Sequence, residues 1–327
     1  MPAWIRGCDW VHRRSAPLSL ADTADKRPGR FLPADPLAIL ALVLLCAAGI
    51  LALTAPVLPL IDPNAIDVMH RLEAPSFAHP LGTDNLGRDL FSRIIWGSRS
   101  SLGTVAVATA LIVAIAVPIG IVAGYYGGIV DEVLMRIVDV FLALPSLLLA
   151  LAIGGILGPG FRSVLIALVA VWWASYARVV RGLVIGMRER EFLLAARALG
   201  GGDYHVMTHH VLMNVLLPVG VLATIEMGDL VLAVAALGFL GVGVHAPNAD
   251  WGTMVNDARP LLFSAPRLML YPGLAIAAAV IAFNILGDGL RDALDPRAGP
   301  SPDYPAPTLA AKSRRRIFEA SGPVAKE

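Results

Sequence analysis

Six apolar runs, each long enough to cross a hydrocarbon core of about 30 Å, recur along this 327-residue chain. A hydropathy reading places them at about 37–60, 101–124, 133–157, 164–186, 214–242 and 268–289. Inside lipid the backbone must satisfy its own hydrogen bonds, so the runs predict helices and an all-α membrane protein with six transmembrane helices. Composition agrees, since 57% of residues are apolar, 16% are charged and the mean hydropathy is +0.70. Two runs carry charge within them: Arg136 and Asp139 in the third, Glu226 and Asp229 in the fifth.

The same composition excludes several function classes. A net charge of +1 with no long basic face outside the tails argues against nucleic acid. Two cysteines, Cys8 and Cys46, are too few for a disulfide framework or a metal cluster. The first 35 residues lack a continuous apolar segment, so a cleaved signal peptide is not expected. Residues 1–35 and 296–327 are rich in Pro, Ala, Ser and charge, which predicts disordered tails flanking a membrane domain at 36–295.

Lysine and arginine orient the domain. Six precede residue 37, five lie from Arg178 to Arg197 and seven follow from Arg291 onward, against seven in the segments on the other side. The bias predicts that both termini, and the loop 187–213, face the cytoplasm.

That loop has a pattern of its own. Phe192, Ala195, Ala196 and Leu199 repeat at i, i+3, i+4 and i+7, which predicts a short amphipathic helix over about 189–199. Gly200, Gly201 and Gly202 would end it, and Asp203 would cap a second helix leading into the fifth run. Such a helix suits docking into a partner or lying on lipid headgroups, and periodicity does not separate the two.

The loop sequence AARALGGGDYHVMTHHVLMN at 195–214 resembles the cytoplasmic Glu-Ala-Ala loop of binding-protein-dependent ABC transporter permeases. The match falls on Ala195, Ala196, Gly200, Val211 and Leu212, with Leu194 where that family usually has Glu and Met213 where it usually has Pro. HPLGTDNLGRDLFSRIIWGSRSSL at 79–102, FLGVGVHAPNADWGTMVNDARPLLFSAP at 239–266 and YPGLAIAAAVIAFNILGDGLRDALDPR at 271–297 resemble its dipeptide, oligopeptide and nickel branch. The resemblance implies a type I importer permease with both ends inside. It also implies two cytosolic ATPase subunits, a second permease chain and an extracytoplasmic substrate-binding protein, with membrane lipid around them. The chain itself contains no G-x-x-x-x-G-K-[ST] sequence, so ATP is expected on the partners and no cofactor or catalytic residue on this chain. Phe192, Ala195, Ala196, Leu199, Gly200 and Asp203 are the expected coupling residues. Peptides or peptide-like solutes are the expected cargo, with nickel or another small solute as the alternative.

Other signals are weaker. In 79–102, Thr83 or Asp84 would cap an interfacial helix with Leu86, Leu90, Phe91, Ile94 and Ile95 on its apolar side and Arg88, Asp89 and Arg93 elsewhere. Trp251 would sit at headgroup level in a polar loop. His205, His209 and His210 lack the accompanying ligands of a metal site and are expected to be solvated. Pro118, Pro145 and Pro218 would free backbone groups for neighbouring helices to satisfy. Arg136, Asp139, Glu226 and Asp229 either line a pathway or pair, with Arg136 or a cation on the second permease chain the candidate counter-ion for Glu226 and Asp229. A secondary transporter would show matched broken half-helices, and an intramembrane hydrolase a convergent acid/base set; neither is evident.

Overall fold

The computed structural model describes residues 36–244 and 248–294, so both tails fall outside the described residues. Among the described residues the regular elements are helical: α1 (Pro36–Thr54), α2 (Leu90–Tyr126), α3 (Gly128–Leu142), α4 (Ser146–Leu157), α5 (Phe161–Met187), α6 (Glu191–Ala198), α7 (Asp203–His205), α8 (Leu212–Phe239), α9 (Trp251–Ala258) and α10 (Arg267–Leu294). A π-helical turn, Val206–Val211, joins α7 to α8, so Asp203–Phe239 forms one 37-residue rod. Five helices are long and apolar enough to cross a membrane, and α3 with α4 makes a sixth span if the bent pair is counted as one.

The predicted third run is where hydropathy alone misleads. Its helix breaks after Leu142, and α4 leaves α3 at 82°. Pro145 is the cause: it has no N–H to donate, and its ring disfavours helical geometry at Leu144. With 15 and 12 residues, α3 and α4 reach only about 22 and 18 Å at 1.5 Å per residue. Pro118 and Pro218, by contrast, lie within continuous helices. Two charges of α3 turn toward α5, where Asp131 accepts two hydrogen bonds from Arg181, one of them 2.6 Å long, and Asp139 pairs with Arg178.

Small residues set the closest helix contact. A β-carbon at Gly120 would come within 2.6 Å of Val180 and one at Gly124 within 2.7 Å of Val184. Glycine at these positions lets the backbones of α2 and α5 meet, the way apolar helices associate where water supplies no driving force. One core cluster lies around α2, α5, α8 and α9, with Tyr176 and Leu168 fully buried. A second, nearer the 188–211 loop, gathers Val117, Ile121, Val180, Val184, Val206 and Val215.

At the end of the bundle away from that loop, three expectations are corrected. Neither Thr83 nor Asp84 caps a helix: α2 begins at Leu90, capped by Asp89, which accepts the Ser92 N–H at 2.7 Å. Asp84 instead organises a turn, accepting from the N–H groups of Leu86 and Arg88 at 2.8 and 3.0 Å. Arg88 and Arg93, placed off the apolar side, are buried, while Leu86 and Phe91, placed on it, are exposed. The inversion is stable because Arg88 meets Asp84 at 2.6 Å and Arg93 donates to the Pro63 carbonyl at 3.2 Å, leaving neither guanidinium unpaired.

Trp251 is likewise not an interfacial anchor. It is 4% exposed, at the start of a helix the sequence did not suggest, with its indole N–H donated to the Ile94 carbonyl at 3.0 Å. Asp250 caps that helix and accepts the Ser101 hydroxyl at 2.7 Å, tying α9 to α2. Burial pushes the Asp250 carboxyl above the usual range, against the hydrogen bonds from Ser101 and the backbone of Thr253 and Gly252.

Candidate functional site

The loop between α5 and α8 is held from beneath by Leu193. That residue is 1% exposed and packs in the second core cluster with Val206, Val211 and Val215. The predicted stripe therefore divides: Ala196 turns partly toward this core, whereas Phe192, Ala195 and Leu199 face outward. The template was started one residue early. Begun at Leu193, the i, i+3 pair Leu193 and Ala196 marks the inward face. The π turn supports the same packing, because its i to i+5 geometry lets Val206 and Val211 both point inward.

The glycines do end α6. Gly200 has φ +87°, and the N–H groups of Gly200 and Gly201 return to the carbonyls of Arg197 and Ala196, both at 3.0 Å, which is the Schellman closure. Asp203, however, is not the cap. Gly202 holds that position without a side-chain bond, and Asp203 is the first residue of α7. Its carboxylate is engaged elsewhere, accepting the Tyr125 hydroxyl at 2.7 Å.

Tyr125, near the end of α2, is the functional residue that sequence reasoning missed. Arg197 donates to its oxygen at 3.2 Å and lies 4.6 Å from its ring centroid, so one side chain gathers α2, α6 and α7. These contacts span 72 and 78 residues of chain, and no local pattern announces them. Tyr125→Phe keeps the ring and the cation–π contact but loses both hydroxyl bonds. A loss of about 1 kcal/mol is expected, because solvent can rehydrate Asp203. Hydrogen exchange of the α6 amides should then run about fivefold faster, and unchanged exchange would show that the tie bears no load.

The outward surface of this anchored loop sets large apolar side chains among the charges of Glu189, Arg190 and Glu191. Leu199 is 89% exposed, Leu194 is 51% exposed, and Phe192 and Tyr204 stand beside them. His205 stacks on His209 with centroids 4.4 Å apart, both exposed.

The intramembrane charges do not gather as one set. Arg136 pairs with Glu132 at 3.7 Å, one turn away on α3, and so is not the counter-ion of Glu226 and Asp229. Asp139 belongs to Arg178. Glu226 is half-buried and Asp229 exposed, one turn apart on α8.

Against known proteins, residues 116–300 match the family described as binding-protein-dependent transport system inner membrane component. The chain is 45% identical over 257 residues to the nickel transport system permease protein NikC of Escherichia coli (strain K12), covering 79% of this chain and 93% of that protein. It is 44% identical over 268 residues to the dipeptide transport system permease protein DppC of Alkalihalophilus pseudofirmus, covering 81% and 88%. Identity to the glutathione transport system permease protein GsiD of Pectobacterium atrosepticum is 40% over 234 residues, covering 72% and 78%.

Proposed function

The chain belongs to the family of inner membrane components of binding-protein-dependent transport systems, as a multi-pass ABC permease subunit of its dipeptide, oligopeptide and nickel branch, and on that premise we propose what it carries and how it is driven. It forms half of a transmembrane pathway for peptides or peptide-like solutes, completed by a second permease chain. A binding protein delivers the solute on the outer side. Two cytosolic ATPases bind and hydrolyse ATP, and their closure is passed to the spans through α6. Both termini and the 188–211 loop face the cytosol.

One observation carries the coupling role: exposed apolar side chains, Phe192 and Leu194 on α6, Leu199 at its end and Tyr204 on α7, stand on a loop anchored from below by Leu193 and Tyr125. Moving a two-state equilibrium from 1:99 to 99:1 takes about 5.5 kcal/mol of differential binding. An exposed ion pair offers about 0–1 kcal/mol, whereas burying a leucine or phenylalanine offers about 1.5–3. Leu194 in place of the usual Glu fits a grip made of apolar surface.

The cargo reading rests on the peptide-permease relatives and on an apolar groove of about 490 Å³ between α5, α8 and α10, within the range that takes organic ligands. The similarity to NikC favours nickel as the second reading. Mass spectrometry of the ligand retained by the purified cognate binding protein decides between them. Co-purification of the ATPases tests the assembly. Gly202 has open space around it, so Gly202→Cys should resist an impermeant maleimide in intact cells and react after lysis. Equal labelling in both would overturn the orientation.

A further inference from the structure

The groove between α5 and α8 reaches Ile225, and the unpaired carboxylates Glu226 and Asp229 lie just past its lining on α8. Its walls include Val179 and Leu183 of α5 and Pro218, Leu222 and Ile225 of α8, with Arg291 of α10 at the end near the 188–211 loop. Glu226 directly follows Ile225, and Asp229 lies one turn farther along α8 on the same face. One turn beyond Val179 on α5 is Tyr176. Its side chain is fully buried, its hydroxyl has no hydrogen-bond partner, and it lies within electrostatic reach of both carboxylates.

Among the described residues neither Glu226 nor Asp229 has an ion-pair or hydrogen-bond partner; Arg136, Arg178 and Arg181 pair with Glu132, Asp139 and Asp131. Carboxylates at this depth do not face lipid: they face a bundle interior or a watery cavity, or they pair. A protonated amine complements the three groups, because an ammonium carries three donors and no acceptor while two carboxylates and a phenol oxygen supply acceptors. Nickel, which favours imidazole nitrogen, is a poorer match to an all-oxygen set.

We propose that the α5–α8 groove is the loop-side half of the solute path, and that Glu226, Asp229 and the Tyr176 hydroxyl form a station on it for a protonated amine of the solute. The proposal rests on the importer reading above. It gives the carboxylates a role in choosing what passes, in addition to selection by the binding protein.

The test needs no knowledge of the cargo. In the assembled transporter in membranes, with Cys8 and Cys46 replaced by Ser, Leu222→Cys places one thiol on the groove wall. Its reaction rates with a cationic and an anionic methanethiosulfonate of similar size are measured relative to a free thiol. The station predicts about a tenfold or greater preference for the cation. That preference should collapse toward unity in Glu226→Gln/Asp229→Asn while the assembly stays intact. Propylammonium at millimolar concentration should slow the cationic reagent, and propanol should not. Val179→Cys on the facing helix gives the same readout if Leu222→Cys assembles poorly. Equal rates with both reagents, or no reaction with either, would overturn the proposal. So would loss of the second permease chain from the double variant, which would assign the carboxylates to subunit pairing. Protection by nickel ions but not by propylammonium would overturn the amine assignment. Failure of the importer reading would register separately, as absence of the ATPases from the purified assembly.

Discussion

Leu199→Asp should abolish transport by the assembled importer while leaving the permease folded in the membrane. The leucine is 89% exposed and ends α6, so replacing it costs the isolated chain within about 0.5 kcal/mol. Docking is different. A carboxylate buried against an ATPase without a partner loses several kcal/mol of hydration. A deficit of about 3 kcal/mol corresponds to roughly a hundredfold in rate or retention. Uptake in proteoliposomes should fall by at least that factor, and an affinity-tagged permease should lose its ATPases with an unchanged size-exclusion profile. Gly200→Asp should also uncouple, but less cleanly. Its φ of +87° is unfavourable for a side-chain-bearing residue by about 1–2 kcal/mol, so part of its effect would be local unwinding of the loop. Import at the normal rate by Leu199→Asp, with the ATPases still attached, would place the grip elsewhere.

Hydropathy made the bundle legible because the thickness of lipid is a one-dimensional constraint: α2, α5 and α10 cover the runs predicted for them, and α8 follows the fifth run as far as Phe239. The first run overreached to residue 60, where its helix ends at Thr54 ahead of Pro56 and Pro59. What hydropathy lacks is direction. The run at 133–157 stays apolar through the bend at Pro145, so a break of 82° left no mark on it. The block at 79–102 failed for another reason. A helical-period reading assigns charge to water, yet Arg88 and Arg93 find Asp84 and a carbonyl at Pro63, 30 residues from Arg93, and go inside. In the loop, the stop at Gly200 was readable because it is local. The Tyr125 to Asp203 bond was not, because its partners lie 78 residues apart. Leu193 was within reach, since it satisfies the same period as the chosen stripe in an adjacent register.

The clasp between α3 and α5 should prove costly to break. Asp131 is largely buried, with 17% of its side chain exposed, and Arg181 makes two hydrogen bonds to it. Arg181→Ala would leave that carboxylate without a cation in a region where water does not reach freely. Breaking one side of a fully buried pair costs about 3–5 kcal/mol, and with a third of Arg181 exposed the cost expected here is about 1–3 kcal/mol, still a sizeable part of the 5–15 kcal/mol that holds a typical fold. Removing both charges should cost much less, because the desolvation penalty of each ion disappears with it. Asp131→Asn/Arg181→Gln keeps a hydrogen-bonding pair of similar shape and should restore most of the stability. The thermal midpoint in detergent, read by fluorescence-detected size exclusion, should therefore fall steeply in Arg181→Ala and Asp131→Ala and recover in the neutral double variant. A double-mutant cycle should give a coupling of about 1 kcal/mol or more. The bond has a mechanical consequence as well. α5 continues unbroken from this clasp to the residue before the 188–211 loop, so a shift of α6 is expected to carry α3, and with it the bend at Pro145. A cycle in which the two single substitutions simply add would show that α3 and α5 move independently, and the loop would then need another route to the spans.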